Sequence, residues 1–180
     1  FAASGFKGTA REPLIRPNQG GNALNATYML QETIGFEAQF TGDPTLLKWE
    51  SLHGRQSGAG FDAVVTGLEY TLYGTFGQVW DLGLIAEGQY DTRQQAAAER
   101  FYSAGLRLVL NDVKDTNFLA LISLDQKQEQ SLIAFEASRR LNDWSSLELR
   151  SQFYDAKKNG LAFSGIADDD VISLTVNLFF

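Results

Sequence analysis

The sequence contains no cysteine, so it has neither a disulfide framework nor a thiolate metal site. Its single histidine, His53, excludes a multi-histidine metal centre within the chain. Long apolar runs are also missing: the greasiest stretch, FLALIS at 118–123, falls far short of the roughly 20 residues that a membrane helix needs. A helical membrane protein is therefore excluded. Positive charge is scarce, with 15 Lys and Arg against 22 Asp and Glu, for a net charge of −7. No nucleic-acid partner is expected of such a surface, because phosphate binding needs clustered cations. No composition shift marks a linker, so residues 1–180 read as a single unit. The opening FAASGFKGTA has neither an initiator Met nor a signal-sequence pattern. A targeting peptide is expected to have been removed, or the chain to continue upstream as part of a longer barrel.

What the sequence does have is a period of two. Tyr28, Leu30, Ile34, Phe36, Ala38 and Phe40 alternate with Met29, Gln31, Thr33, Gly35, Glu37 and Gln39, and only Glu32 interrupts the apolar series. Leu47 and Trp49 oppose Lys48 and Glu50; Val64, Leu68, Tyr70 and Leu72 oppose Gly67, Glu69 and Thr71. In the next segment Trp80, Leu82, Leu84, Ala86 and Tyr90 oppose Asp81, Glu87, Gln89 and Asp91. The pattern continues through 102–110, 118–125, 133–138, 145–155 and 171–180. With a weaker strand in residues 1–10, this predicts about ten strands and no helix beyond a single turn at AAAER, 96–100.

The connections alternate as well. TGDPT (41–45), YGTFGQ (73–78), NDVKDTN (111–117) and RLNDW (140–144) are compact and rich in Gly, Asn and Asp, as tight hairpins require. GRQSGAG (54–60), DTRQQAAAER (91–100) and DAKKNGLAFSGIADDD (155–170) are longer and more polar, although QKQEQ (126–130) is short. Such alternation gathers the long loops on one rim of an up-and-down sheet.

The last ten residues, VISLTVNLFF, place Ile172, Leu174, Val176, Leu178 and Phe180 at every second position. This strand resembles the C-terminal strand of bacterial outer-membrane β-barrels, which commonly ends in Phe and is read by the barrel assembly machinery. The resemblance implies an antiparallel up-and-down transmembrane barrel of about ten strands, or the C-terminal part of a larger one. It implies outer-membrane lipid and the assembly machinery as partners, with the C-terminus in the periplasm. The final strand would meet the machinery's sheet edge first and the barrel's own first strand on closure. A soluble sandwich or lipocalin-like barrel has the same alternation. Strands of ten or more residues, aromatics near strand ends and the terminal pattern favour lipid.

In a barrel the polar face would line the lumen with Lys48, Glu50, Glu69, Glu87, Asp91, Arg107, Asp125, Glu136, Arg140, Glu148 and Arg150. Two functions follow from that mixture: a passage for small polar solutes with a mild preference for cations, or a narrow interior filled by paired charges. Glu69, Glu87 and Arg107 are expected to project toward one another. No cofactor, metal or enzymatic activity is expected. Ser51-Leu52-His53 is a reversed form of the His-x-Ser pair of outer-membrane lipid hydrolases, with no acid or amide to orient the imidazole apparent in the sequence. Asp168, Asp169 and Asp170 could gather calcium, or simply be solvated.

Overall fold

A computed structural model of the chain describes residues 1–11, 13–18, 20–93, 96, 98–127, 129–159 and 161–180. The strands are β1 (Ala2–Thr9), β2 (Leu14–Pro17), β3 (Leu24–Thr27), β4 (Leu30–Gly42), β5 (Thr45–Gln56), β6 (Ala59–Thr75), β7 (Trp80–Asp91), β8 (Arg100–Val109), β9 (Asn117–Asp125), β10 (Gln130–Asn142), β11 (Ser145–Ala156) and β12 (Val171–Leu178). Ten of them form one antiparallel sheet in the order β1-β4-β5-β6-β7-β8-β9-β10-β11-β12. The fold is thus all-β and up-and-down, as the two-residue period predicts. β1 pairs with β4 alone and β12 with β11 alone, so the ladder is not closed into a ring among the described residues.

Three local features depart from the sequence reading. β2 and β3 form a separate two-stranded hairpin between β1 and β4, each strand too short for alternation to announce it. The expected loop at 54–60 shrinks to Ser57 and Gly58, because β5 runs to Gln56 and β6 starts at Ala59. Both turn residues have positive φ, 48° and 88°, the backbone that lets a two-residue hairpin follow the twist of its strands. The turn expected at 96–100 is not helical where it is described: Arg100 already belongs to β8, and Ala97 lies outside the described residues. So do Gln94, Gln95, Gln128 and Gly160 of the other loops.

Turns at 43–44, 76–79, 110–116 and 143–144 share one rim; the described residues of 10–29, 57–58, 92–99, 126–129 and 157–170 join strands at the other. Partners in the ladder carry side chains on the same face, so rows can be followed across the sheet. One row runs Phe40, Leu47, Leu68, Ala86, Ala104, Ile122, Ile133, Phe153. It begins two residues from the short-turn end of β4 and finishes three residues from the long-loop end of β11. The strands are therefore staggered in one direction, the shear that a sheet needs in order to curl into a barrel.

The face carrying this row is the exposed apolar one. Phe40, Leu47, Leu68, Leu84, Leu106, Ile122, Ile133 and Phe153 are all exposed, while the buried apolar residues among those described are only Ala10, Phe61 and Ala63. Among the described residues nothing covers these side chains of the apolar face.

Candidate functional site

The other face collects the charges. Register links Lys48 to Gly67, Gly67 to Glu87 and Glu87 to Ser103; a neighbouring row links Arg107 to Leu119, Glu136 and Arg150. By the same alternation Glu50, Glu69, Asp91, Asp125, Arg140 and Glu148 stand on this face, so all eleven charged positions picked out by periodicity share it. Glu37, opposite Glu50, belongs with them. Its place in the alternation of β4 is the sequence signal for it.

Their pairing is uneven. Arg107 forms an ion pair with Glu69. The pair lies over Gly83, where an added Cβ would stand 3.5 Å from Glu69 Oε1 and from Arg107 Cβ. Arg150 lies 4.0 Å from Glu136 and 3.5 Å from Glu148, and the Asn177 amide donates to Glu148 at 3.0 Å. At the long-loop rim Asp91 holds Arg93 at 2.5 Å, and Arg93 sits over the Phe61 ring. Asp125 is a turn anchor: its carboxylate accepts the Glu129 and Gln130 amides at 2.7 and 3.2 Å. Glu37, Glu50, Glu87, Lys48 and Arg140 form no ion pair among the described residues. Glu87 is thus on the face expected for it, but Arg107 is taken by Glu69.

This face is hollow. A depression of about 320 Å³ is lined by Arg107, Asn117, Glu136, Ser138, Glu148 and Arg150, and another of about 220 Å³ by residues that include Glu37, Glu50, Gln89 and Asp91. The described residues of 157–170 fold back over its long-loop end. Phe163 packs between Phe101 and Tyr154, at 5.8 and 5.6 Å between ring centres, and donates its amide to the buried Gln130 side chain at 3.1 Å. Lys158 pairs with Glu129. Phe101 and Tyr154 stand on the polar face, so this segment narrows the hollow from one rim.

The Asp168–Asp170 run gathers no metal site. Asp170 accepts the Tyr154 amide at 3.2 Å, and no group of three carboxylate or His ligands able to hold a metal occurs among the described residues. On the opposite rim Asp112 accepts the Thr116 amide and hydroxyl at 2.8 and 2.9 Å. The Thr116 amide bond holds the Asp112 carboxyl below its ordinary value near 3.8, assisted by the hydroxyl and opposed by partial desolvation.

His53 and Ser51 are on the apolar face near the long-loop rim. An acid partner that the sequence did not reveal is present: Asp62, across the β5–β6 ladder, lies 2.7 Å from His53 Nδ1. The Ser51 hydroxyl, however, donates to the Phe36 carbonyl at 3.4 Å, so serine and imidazole are not joined as nucleophile and base. Of the terminal residues, Ile172, Leu174, Val176 and Leu178 line the apolar side of β12, opposite Ser151, Leu149, Leu147 and Ser145. β12 ends at Leu178, leaving Phe180 past the last ladder pair and fully exposed. Compared with known proteins, the chain matches no family model, no curated protein and no solved structure.

Proposed function

We propose that the chain is an outer-membrane β-barrel, or the C-terminal part of one, which passes small polar solutes along its charged face with a mild preference for cations. One observation carries the reading: the large side chains of the apolar face are exposed, while the polar face is the hollow side. Covering a Leu- or Phe-sized side chain is worth about 1.5–3 kcal/mol, so the exposure of this many supports an apolar surrounding medium. The uniform stagger supports curling and closure, through β1 and β12 or through further strands. By its resemblance to assembly signals, β12 would engage the barrel assembly machinery, with the C-terminus in the periplasm. Phe180→Asp should then lower insertion in cells without lowering synthesis; normal insertion would remove that role.

The deciding experiment is reconstitution of the folded chain in planar bilayers under a salt gradient. Conductance with a cation-directed reversal potential is expected, and Glu50→Gln with Glu87→Gln should move that potential toward zero. Insertion without conductance would leave a closed barrel, for which the Phe163 fold-back and the paired charges of β8–β11 already offer a structural cause. Leu84→Arg tests the lipid face by itself. If Leu84 faces the bilayer midplane, the substitution should destabilise the folded protein by about 2–4 kcal/mol in bilayers. No loss would show that this face does not meet lipid.

A further inference from the structure

Residues 161–170 carry their own backbone hydrogen bonds. The Ser164 amide and hydroxyl donate to the Leu161 carbonyl at 3.1 and 2.7 Å, the Ile166 amide to Phe163 at 3.0 Å and the Asp169 amide to Ile166 at 3.0 Å. Each bond spans three residues, so the segment keeps its shape as a run of turns without joining the ladder. What seats it on the polar face is a ring and an amide. The Phe163 ring lies between Phe101 of β8 and Tyr154 of β11, and the Phe163 amide donates to the side chain of Gln130, which is 1% exposed. Its two ends are tied at the rim, where the Lys157 amide donates to the Glu129 carbonyl at 2.7 Å and Asp170 accepts the Tyr154 amide. Around Phe163 the segment is open: Ala162, Gly165, Ile166, Asp168 and Asp169 are exposed. Local opening favours such a build, because the turn bonds travel with the segment while one ring and the Gln130 amide go back to water.

We infer that residues 161–170 are a strap, latched by Phe163 and Gln130, which closes the long-loop end of the hollow over β8–β11 and opens it by lifting as a unit. Under the strap, Ser103 and Ser123 share a hydrogen bond of 2.7 Å on the polar face, two residues from the Phe101–Asp125 pair toward the short-turn rim. Further along the same strands lies the depression lined by Arg107, Glu136 and Arg150. As a control on flow the strap rests on the passage proposed above; as a cover over the hollow it does not require the sheet to conduct.

The chain has no cysteine, so Ser123→Cys supplies a single thiol that reports access beneath the strap. In the folded chain in detergent, a charged methanethiosulfonate should modify this thiol about tenfold faster once Phe163→Ala is added. Phe163→Tyr, which keeps the ring, should leave the rate as it was. Trypsin should likewise cut after Lys157 and Lys158 faster in Phe163→Ala while the strands stay whole. Equal labelling rates with and without Phe163→Ala would overturn the strap. So would loss of the fold in Phe163→Ala, because the ring would then belong to the core and not to a latch. In planar bilayers Phe163→Ala should raise the conductance. Faster labelling with no conductance in either protein would remove the passage and support the strap; conductance in both with unchanged labelling would support the passage and remove the strap.

Discussion

Along β4–β7 the polar face carries Glu37, Glu50, Glu69, Asp81, Glu87 and Asp91 against Lys48; along β8–β11 it carries Arg107, Arg140 and Arg150 against Asp125, Glu136 and Glu148. The second region is nearly balanced, and its Arg150 lies within ion-pair distance of two acids on β10 and β11. The first is acidic, sets Glu37 directly across the ladder from Glu50, and completes an ion pair within the sheet only by borrowing Arg107 from β8. Like charges placed opposite each other destabilise a ladder, whereas opposite charges support it. If the proposed passage exists, the balanced strands would contribute paired charges to it and the acidic strands a field that favours cations.

The largest effect should come from the pair that joins the two regions. Arg107→Ala leaves Glu69, whose side chain is only 20% exposed, without its cation. Unfolding by denaturant should show a loss of about 1–2 kcal/mol. A negligible change would mean that water already serves Glu69 and that the regions are not coupled there. Next, Glu37→Lys converts the opposed acids into an opposite-charge pair and should raise stability by about 0.2–1 kcal/mol. The analogous Glu136→Lys, placed opposite Arg150, should lower it. If both changes have the same sign, the contrast between the regions fails. Arg150→Ala should cost less than about 1 kcal/mol, because its side chain is 64% exposed and solvent screens its contacts.

The smallest effect concerns the short-turn rim. The Asp112 carboxyl is held below its ordinary value near 3.8, so its ionised form supports the fold more than its protonated form. That support is complete above the ordinary value and is lost as pH falls through the lower folded one. Exchange protection of the Thr116 amide, corrected for intrinsic rates, should stay level down to about pH 4 and then fall in acid. Level protection to pH 2 would show that the carboxylate does not hold this turn.

The sequence by itself determined which face each strand residue occupies. Glu87, Glu136 and Leu84 could be sorted without any partner, because side-chain direction in a strand alternates locally and needs no knowledge of the neighbouring strand. Strand order was legible too, since short turns force consecutive strands together. Which acid meets which base was decided only by tertiary structure. The choice of Glu69 over Glu87 as the partner of Arg107, and of Asp62 for His53, depends on cross-strand register, which residues far apart in the chain set jointly. The same holds for the β2–β3 hairpin and for Phe163 against Phe101 and Tyr154. Neither has a period to read; each is fixed by the surfaces that the sheet brings to its long-loop rim.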